Sequence, residues 1–226
     1  MSDIAARLEQ IRERITAACA RAGRDPRSVE LVAVSKTKPA ELIQEAVDAG
    51  QSLFGENRVQ EVMQKKPLLP ARLRWHLIGP LQSNKVRKIL PLVEMIEAVD
   101  SLDIARDINR IAAELGLHPK VLLEVNVATE SSKHGFSAAQ IRSQLEELYA
   151  LDRLYIQGLM CIPPFDPSPE ASRKYFIQLR TLKEELEKLG GAPLPVLSMG
   201  MSHDFEAAIE EGATLVRVGT AIFGGR

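Results

Sequence analysis

Cysteine is scarce in this chain of 226 residues. Cys19 and Cys161 are its two cysteines, and neither belongs to a CxxC motif or to a cluster of cysteine and histidine. This scarcity argues against a disulfide framework and against a structural zinc site. We therefore predict no metal site, and low cysteine usage favours the reducing cytoplasm as the compartment.

Long apolar runs and an excess of charge are also missing. The longest apolar stretches, such as 31–34 and 159–162, are far shorter than the ~20 residues that cross a bilayer. The first residues lack the hydrophobic region of a signal peptide. Lys and Arg number 29 against 30 Asp and Glu, so bulk charge does not favour a polyanion partner. We expect a cytoplasmic protein with neither a membrane nor a nucleic-acid partner.

Eight short apolar segments alternate with stretches of helical spacing. An amphipathic helix is predicted first, over residues 1–22, and Gly23 ends it. The predicted strands are 31–35, 52–54, 75–78, 95–99, 121–127, 155–161, 196–199 and 215–218. Helical spacing occurs between them, for example at 40–49, 104–115, 141–149, 171–189 and 205–211.

Such alternation predicts parallel βαβ units in an α/β protein. Eight strands in a chain of this length favour a (β/α)8 TIM barrel, with an open doubly wound sheet as the alternative. We predict one domain over residues 1–226, in which residues 1–23 form an N-terminal helix. Residues 219–226 are too few for a full eighth helix, so we expect the N-terminal helix to cover that gap.

Two basic residues stand at strand positions that suit chemistry. Lys36 ends the first strand, where active sites of barrels lie, and partial desolvation there would favour an amine that attacks a carbonyl. The alternative is an ordinary lysine that extends into solvent. Arg217 alternates with Val216 and Val218, so it points into the barrel if the valines face the helices. A core salt bridge is the alternative reading for Arg217.

Turns rich in glycine and serine follow the last two strands, where barrels commonly bind phosphate. They comprise residues 198–204 and the pair Gly219 and Thr220. Ser202 is equally suited to be a helix N-cap. Asn57, His76 and Asn126 lie at other strand ends, and each could instead be a satisfied polar group of the core.

Five motifs in order closely resemble the pyridoxal phosphate homeostasis protein family. They are 32–39 (VAVSKTKP), 54–57 (FGEN), 75–85 (WHLIGPLQSNK), 197–202 (LSMGMS) and 216–224 (VRVGTAIFG). The resemblance extends from about residue 30 to the C-terminus. It implies a barrel like the N-terminal domain of alanine racemase that binds pyridoxal 5′-phosphate (PLP). One departure from the commonest pattern falls at 133–136 (KHGF), where a smaller residue often replaces the histidine.

The resemblance also implies roles for individual residues. Lys36 would be the Schiff-base lysine, and Arg217 the partner of the pyridine nitrogen. The phosphate cradle would comprise Ser198, Ser202, Gly219 and Thr220. Asn57 and His76 would line the side of the ring, while Met199 and Met160 would be apolar walls.

An arginine at the pyridine nitrogen argues against broad amino-acid chemistry, because guanidinium only donates hydrogen bonds and therefore meets an unprotonated ring. Alanine racemase also uses a catalytic tyrosine on an additional domain, which we do not expect in a chain that ends at Arg226. We predict no catalytic residues in a monomeric carrier that maintains intracellular vitamin B6 and delivers PLP transiently to apo-enzymes. The rivals are a weak amino-acid racemase and a sugar-phosphate barrel enzyme that uses Lys36 without PLP.

Overall fold

Strands and helices alternate along the chain in a computed structural model that describes residues 3–128 and 134–225. The strands are β1 Glu30–Val34, β2 Leu53–Glu56, β3 Arg74–Leu77, β4 Met95–Val99, β5 Lys120–Glu124, β6 Tyr155–Met160, β7 Val196–Met201 and β8 Leu215–Val218. The helices are α1 Asp3–Arg21, α2 Ala40–Asp48, α3 Val59–Lys65, α4 Val86–Ile89, α5 Leu102–Leu115, α6 Ala138–Tyr149, α7 Arg173–Gly190, α8 Phe205–Glu210 and α9 Thr220–Phe223.

The eight strands form one closed parallel barrel in sequence order. Each pairs with its neighbours, and β1 pairs with β8 through Glu30 with Leu215 and Val32 with Arg217. This pairing confirms the predicted (β/α)8 barrel and excludes the open sheet. Alternation along β8 places Val216 and Val218 in the layer beneath the helices and turns Arg217 inward, as predicted.

Two apolar layers stabilise the barrel. Small and aliphatic side chains fill its interior, among them Val32, Leu122 and Leu215. A larger cluster lies between the strands and the surrounding helices, and the apolar face of α1 belongs to it. The helix α1 packs beside α8 and α9, where Arg14 pairs with Glu206 at 3.0 Å and Arg7 donates to the Ile222 carbonyl. It therefore covers the gap left by the short C-terminal helix.

Strand ends differ from the sequence prediction at two places that shape the site. The fifth strand ends at Glu124 instead of Val127, because Val125 makes only an isolated bridge with Phe136. The seventh continues to Met201 and carries the chain to the mouth of the barrel. In the ranges 3–128 and 134–225, no helix is long and apolar enough to cross a bilayer, and no cluster of three or more His, Cys, Asp or Glu could hold a metal ion.

Candidate functional site

A cavity of about 350 Å³ opens at the carboxyl ends of the strands. A volume of this size accommodates a small cofactor. Six of the predicted site residues line it: Lys36, Asn57, Ser202, Arg217, Gly219 and Thr220. Ile78, Ile162 and Phe165 add apolar surface. The barrel thus brings an amine, a guanidinium and a hydroxyl-bearing loop to one cavity.

Lys36 reaches this cavity from the turn between β1 and α2. It is half-buried, whereas Ser35 before it is fully buried. The next residue, Thr37, has a φ of 62°. Left-handed backbone is unusual for a β-branched residue and indicates that surrounding contacts hold the turn.

Arg217 is the guanidinium of the cavity and is only 4% exposed. Its Nη2 donates to the Cys161 carbonyl at 2.8 Å, and its Nη1 donates to the Ser198 hydroxyl. The carboxylate of Glu97 lies 3.9 Å from Nη1. Arg217 therefore forms the core salt bridge that was the alternative expectation, and it also lines the cavity.

Glu97 is a functional candidate that the sequence analysis missed. It is fully buried inside the barrel, where it accepts from Ser198 Oγ at 2.6 Å and from His76 Nδ1 at 2.6 Å. Burial by itself raises the pKa of this carboxyl, but His76, Arg217 and Ser198 outweigh it and lower the pKa. Glu97 is thus an ionised anchor behind Arg217. A lone carboxylate within the apolar strand 95–99 was the available signal, because buried charges require partners.

Four residues with predicted roles at the site lie outside the lining of the cavity. Ser198 is completely buried and bonds to Glu97 and Arg217, so its place is behind the guanidinium instead of in the phosphate cradle. His76 is likewise buried against Glu97. Met199, next along β7, points outward into the layer beneath the helices because successive strand residues alternate. Met160 lies among the apolar side chains of the barrel interior.

Ser202 joins the loops after β7 and β8. Its hydroxyl oxygen accepts from the backbone N–H of Gly219 at 3.2 Å and from that of Ala221 at 3.4 Å. Ser202 therefore accepts bonds at the start of α9 and does not cap α8, whose first turn follows Asp204. Backbone donors and hydroxyls converge here, which is the composition of an anion-binding loop.

The mouth of the cavity is bordered by side chains that are already bonded to loop carbonyls. Lys38 Nζ donates to Gly225 O at 2.8 Å, and His203 Nε2 contacts Pro167 O at 2.9 Å. Phe165 lies against the His203 ring with centroids 5.7 Å apart and remains 83% exposed.

A second compartment of about 260 Å³ adjoins the first and shares Asn57, Ile78 and Ile162 with it. Asn126, another strand-end candidate, lines this compartment together with Glu124 and His134. Burial and the nearby Asp100 raise the pKa of the Glu124 carboxyl. Of the divergent segment 133–136, residue Lys133 lies outside the described residues, whereas His134 Nδ1 is 3.4 Å from Asp100 Oδ2.

Comparison with known proteins gives consistent similarities. A family model described as "Alanine racemase, N-terminal domain" matches residues 6–226. A pyridoxal phosphate homeostasis protein from Aquifex aeolicus is 44% identical over 221 residues, which cover 97% of each chain. The structure of PipY from Synechococcus elongatus with PLP bound superposes with a TM-score of 0.85 at 41% identity and covers 98% of this chain and 100% of that one.

Alanine racemase itself is a more distant neighbour. The enzyme from Clostridium difficile has a TM-score of 0.71 at 16% identity and covers 95% of this chain but 56% of that one. A likeness at this level shows a common barrel fold.

Proposed function

Because this chain belongs to the pyridoxal phosphate homeostasis protein family, within the wider alanine racemase N-terminal-domain family, we propose that it carries PLP on Lys36 as a reversible Schiff base. The observation that carries the proposal is the shared cavity of Lys36 and Arg217. Its physiological counterpart is maintenance of the intracellular vitamin B6 pool, with consequences for amino-acid metabolism.

The donor set of the cavity fits this cofactor. PLP supplies a reactive aldehyde, and an anionic phosphate is at the other end of the molecule. Lys36 offers the amine, while Ser202 and Thr220 offer hydroxyls for the phosphate next to the backbone N–H groups of Gly219 and Ala221, which donate to the Ser202 oxygen. Asn57 borders the space between them.

Arg217 would meet the pyridine nitrogen. A guanidinium has five N–H donors and no acceptor, and it stays charged throughout the physiological range. A nitrogen that receives its hydrogen bond must supply a lone pair and therefore carries no proton. Glu97 and the Cys161 carbonyl fix the guanidinium, so this preference is built into the barrel wall.

The same arrangement favours a carrier over a racemase. An unprotonated ring withdraws electrons less strongly, and racemisation through two bases needs a proton donor and an acceptor on opposite faces. Tyr149, Tyr155 and Tyr175 are the three tyrosines of the chain, and none of them is part of the cavity lining that the described residues form.

We further propose that the protein works as a cytoplasmic monomer that delivers PLP to apo-enzymes in transient encounters. In support, the residues with the required chemistry all come from one chain and lie at one open mouth.

Borohydride reduction tests the attachment. Purified protein incubated with PLP should absorb in the visible, and reduction should bleach this band and leave one adduct on the peptide that contains Lys36. Lys38→Ala is the matched control, because Lys38 lines the same cavity and should be dispensable for the adduct. An adduct on Lys38, or a protein that stays colourless with PLP, would contradict the proposal and favour a lysine site for a different carbonyl substrate.

A further inference from the structure

A set of buried polar side chains, joined by hydrogen bonds, lies behind Lys36 on the side of β1 and β2 that faces the helices. Ser35 and Glu56 are fully buried there, and the Ser35 hydroxyl donates to Glu56 Oε1 at 2.6 Å. The ammonium of Lys65, from α3, donates to the same oxygen at 2.7 Å. Neither Glu56 nor Lys65 lines the cavity that contains Lys36.

Two hydrogen bonds connect α3 to the backbone on both sides of Lys36. On the preceding side, Lys65 Nζ donates to the Ser35 carbonyl at 2.9 Å. On the following side, the Thr37 N–H donates to Glu61 Oε2 at 2.7 Å. Lys65 and Glu61 also pair directly at 2.7 Å, one turn apart on α3. The peptide units that flank Lys36 are therefore both bonded to one helix.

The strained turn needs such contacts. Among the described residues, Thr37 alone combines a positive φ with a side chain. Left-handed backbone persists at such a residue only when its surroundings impose it. The bond from Thr37 N–H to Glu61 is the contact that satisfies this peptide.

Charge supports the same interpretation. Burial by itself raises the pKa of Glu61, but the bonds from Lys65 and Thr37 outweigh it and lower the pKa. Burial raises the pKa of Glu56, and the hydrogen bonds from Lys65 and Ser35 offset this rise only in part. Glu61, the carboxyl that bonds to the turn, is thus held in its ionised form, and bonds to ionised acceptors are the stronger ones.

We propose that Lys65 and Glu61 are positioning residues that hold the peptide units on both sides of Lys36 and thereby aim its amine into the cavity. Neither residue touches the cofactor in this scheme. The inference rests on the proposed function, since it concerns how firmly the amine of Lys36 is presented to PLP.

The decisive comparison is Glu61→Leu with Glu61→Gln. Both substitutions remove the charge, but glutamine keeps an oxygen that accepts from Thr37 N–H and leucine does not. We expect Glu61→Leu to bind PLP on the order of tenfold more weakly than Glu61→Gln, as the loss of one bond to a polar acceptor predicts. A spectrophotometric titration with PLP measures this ratio.

A measurement without PLP distinguishes positioning from a general loss of stability. In the unloaded protein, amide exchange at Thr37 should be fast in Glu61→Leu and slow in Glu61→Gln, with melting temperatures of the two variants alike. Gln64→Met, at an exposed position of α3, is the control and should match the wild type in both measurements. Lys65→Met should resemble Glu61→Leu in both measurements. This substitution leaves the carboxyl groups of Glu56 and Glu61 without their cation. If the Lys65→Met protein does not fold, the comparison of Glu61→Leu with Glu61→Gln decides the question.

The outcomes separate the two proposals. If the wild type forms no adduct on Lys36 with PLP, the proposed function fails and this inference fails with it. If the wild type loads on Lys36 but the two Glu61 variants have equal affinity and equal Thr37 exchange, the positioning role alone is wrong.

Discussion

Glu97 and Glu56 are both buried carboxyl groups of the barrel wall, yet their pKa values shift in opposite directions. Three partners lower the pKa of Glu97 against the effect of burial, whereas burial prevails at Glu56 and raises its pKa. A lowered pKa means that the folded state favours the ionised form. Glu97 therefore contributes stability that depends on its charge.

This contribution has a definite pH dependence. It is complete above the ordinary carboxyl pKa of 4.5 and is lost as the pH falls through the lower pKa of the folded state. We expect Glu97→Gln to lower the free energy of unfolding by about 1–3 kcal/mol at neutral pH, because Ser198 and His76 lose a charged acceptor and Arg217 loses its ionic partner. Urea unfolding of both proteins over a pH series should show this difference shrinking in acid.

A surface carboxylate is the control for that series. Glu184, which lies 4.0 Å from Arg180, is 55% exposed, so Glu184→Gln should change stability little at any pH. If the difference in free energy of unfolding between the wild type and Glu97→Gln stays constant down to about pH 3, the charge of Glu97 is not the cause of that difference.

Residue-level prediction from the sequence was limited by the direction of side chains. The motifs marked both Ser198 and Met199, but adjacent residues of one strand face opposite sides, so both cannot line one cavity. Arg217 carried its own signal, because the valines beside it indicated the outer face. Nothing comparable fixed the two faces of β7, and the partnership of Ser198 with Glu97 connects residues 101 positions apart.

At the scale of elements, the strands and longer helices were predictable, while α3 was not. This helix, Val59–Lys65, buries only two apolar side chains, whereas the equally short α8 buries four, so its apolar stripe does not stand out. Tertiary contacts fix it: Lys65 bonds to the turn after β1, to β2 and to its own helix, through Ser35, Glu56 and Glu61. Such contacts between distant segments have no periodic signature in a single sequence.

The close approach of β7 to α8 at Gly200 leads to a prediction at this scale. Gly200 has a φ of 88°, and an added Cβ would lie 2.5 Å from Ala208 Cβ and 2.8 Å from Phe205 Cα. We expect Gly200→Ala to destabilise the fold by about 1–3 kcal/mol more than the backbone conformation alone requires, because the helix must shift. PLP retention should also weaken, since Ser202 lies two residues further on.

Gly191→Ala isolates the backbone contribution in that experiment. Gly191 has a similar conformation, with a φ of 65°, but an added Cβ would meet nothing within 4 Å. In thermal unfolding, Gly191→Ala should therefore have a higher melting temperature than Gly200→Ala. Equal melting temperatures would show that α8 accommodates the extra methyl group without cost.

At the scale of the whole molecule, the arrangement of polar groups predicts binding without turnover. Loaded protein incubated with L-alanine in deuterated water should show Cα exchange far slower than ordinary enzyme rates, which are on the order of 1–10³ s⁻¹. Exchange should be slow because the described cavity lining contains no tyrosine that could act as a second base. Arg217, which can only donate hydrogen bonds, also leaves the ring nitrogen of PLP unprotonated. Proton NMR of the alanine Cα signal measures the rate, and turnover within that range would restore the racemase reading.

Closure of the barrel also bears on how the protein meets other chains. Because β8 returns to β1, each of the eight described strands has a neighbour on both sides, and the ring that they form presents no unpaired strand edge. Free edges are the sites where sheets add foreign strands and where aggregation by strand pairing begins. Aggregation of that kind would first require two neighbouring strands of the ring to separate, and an apo-enzyme that receives PLP as proposed would have to dock on loops or helices instead of extending the sheet.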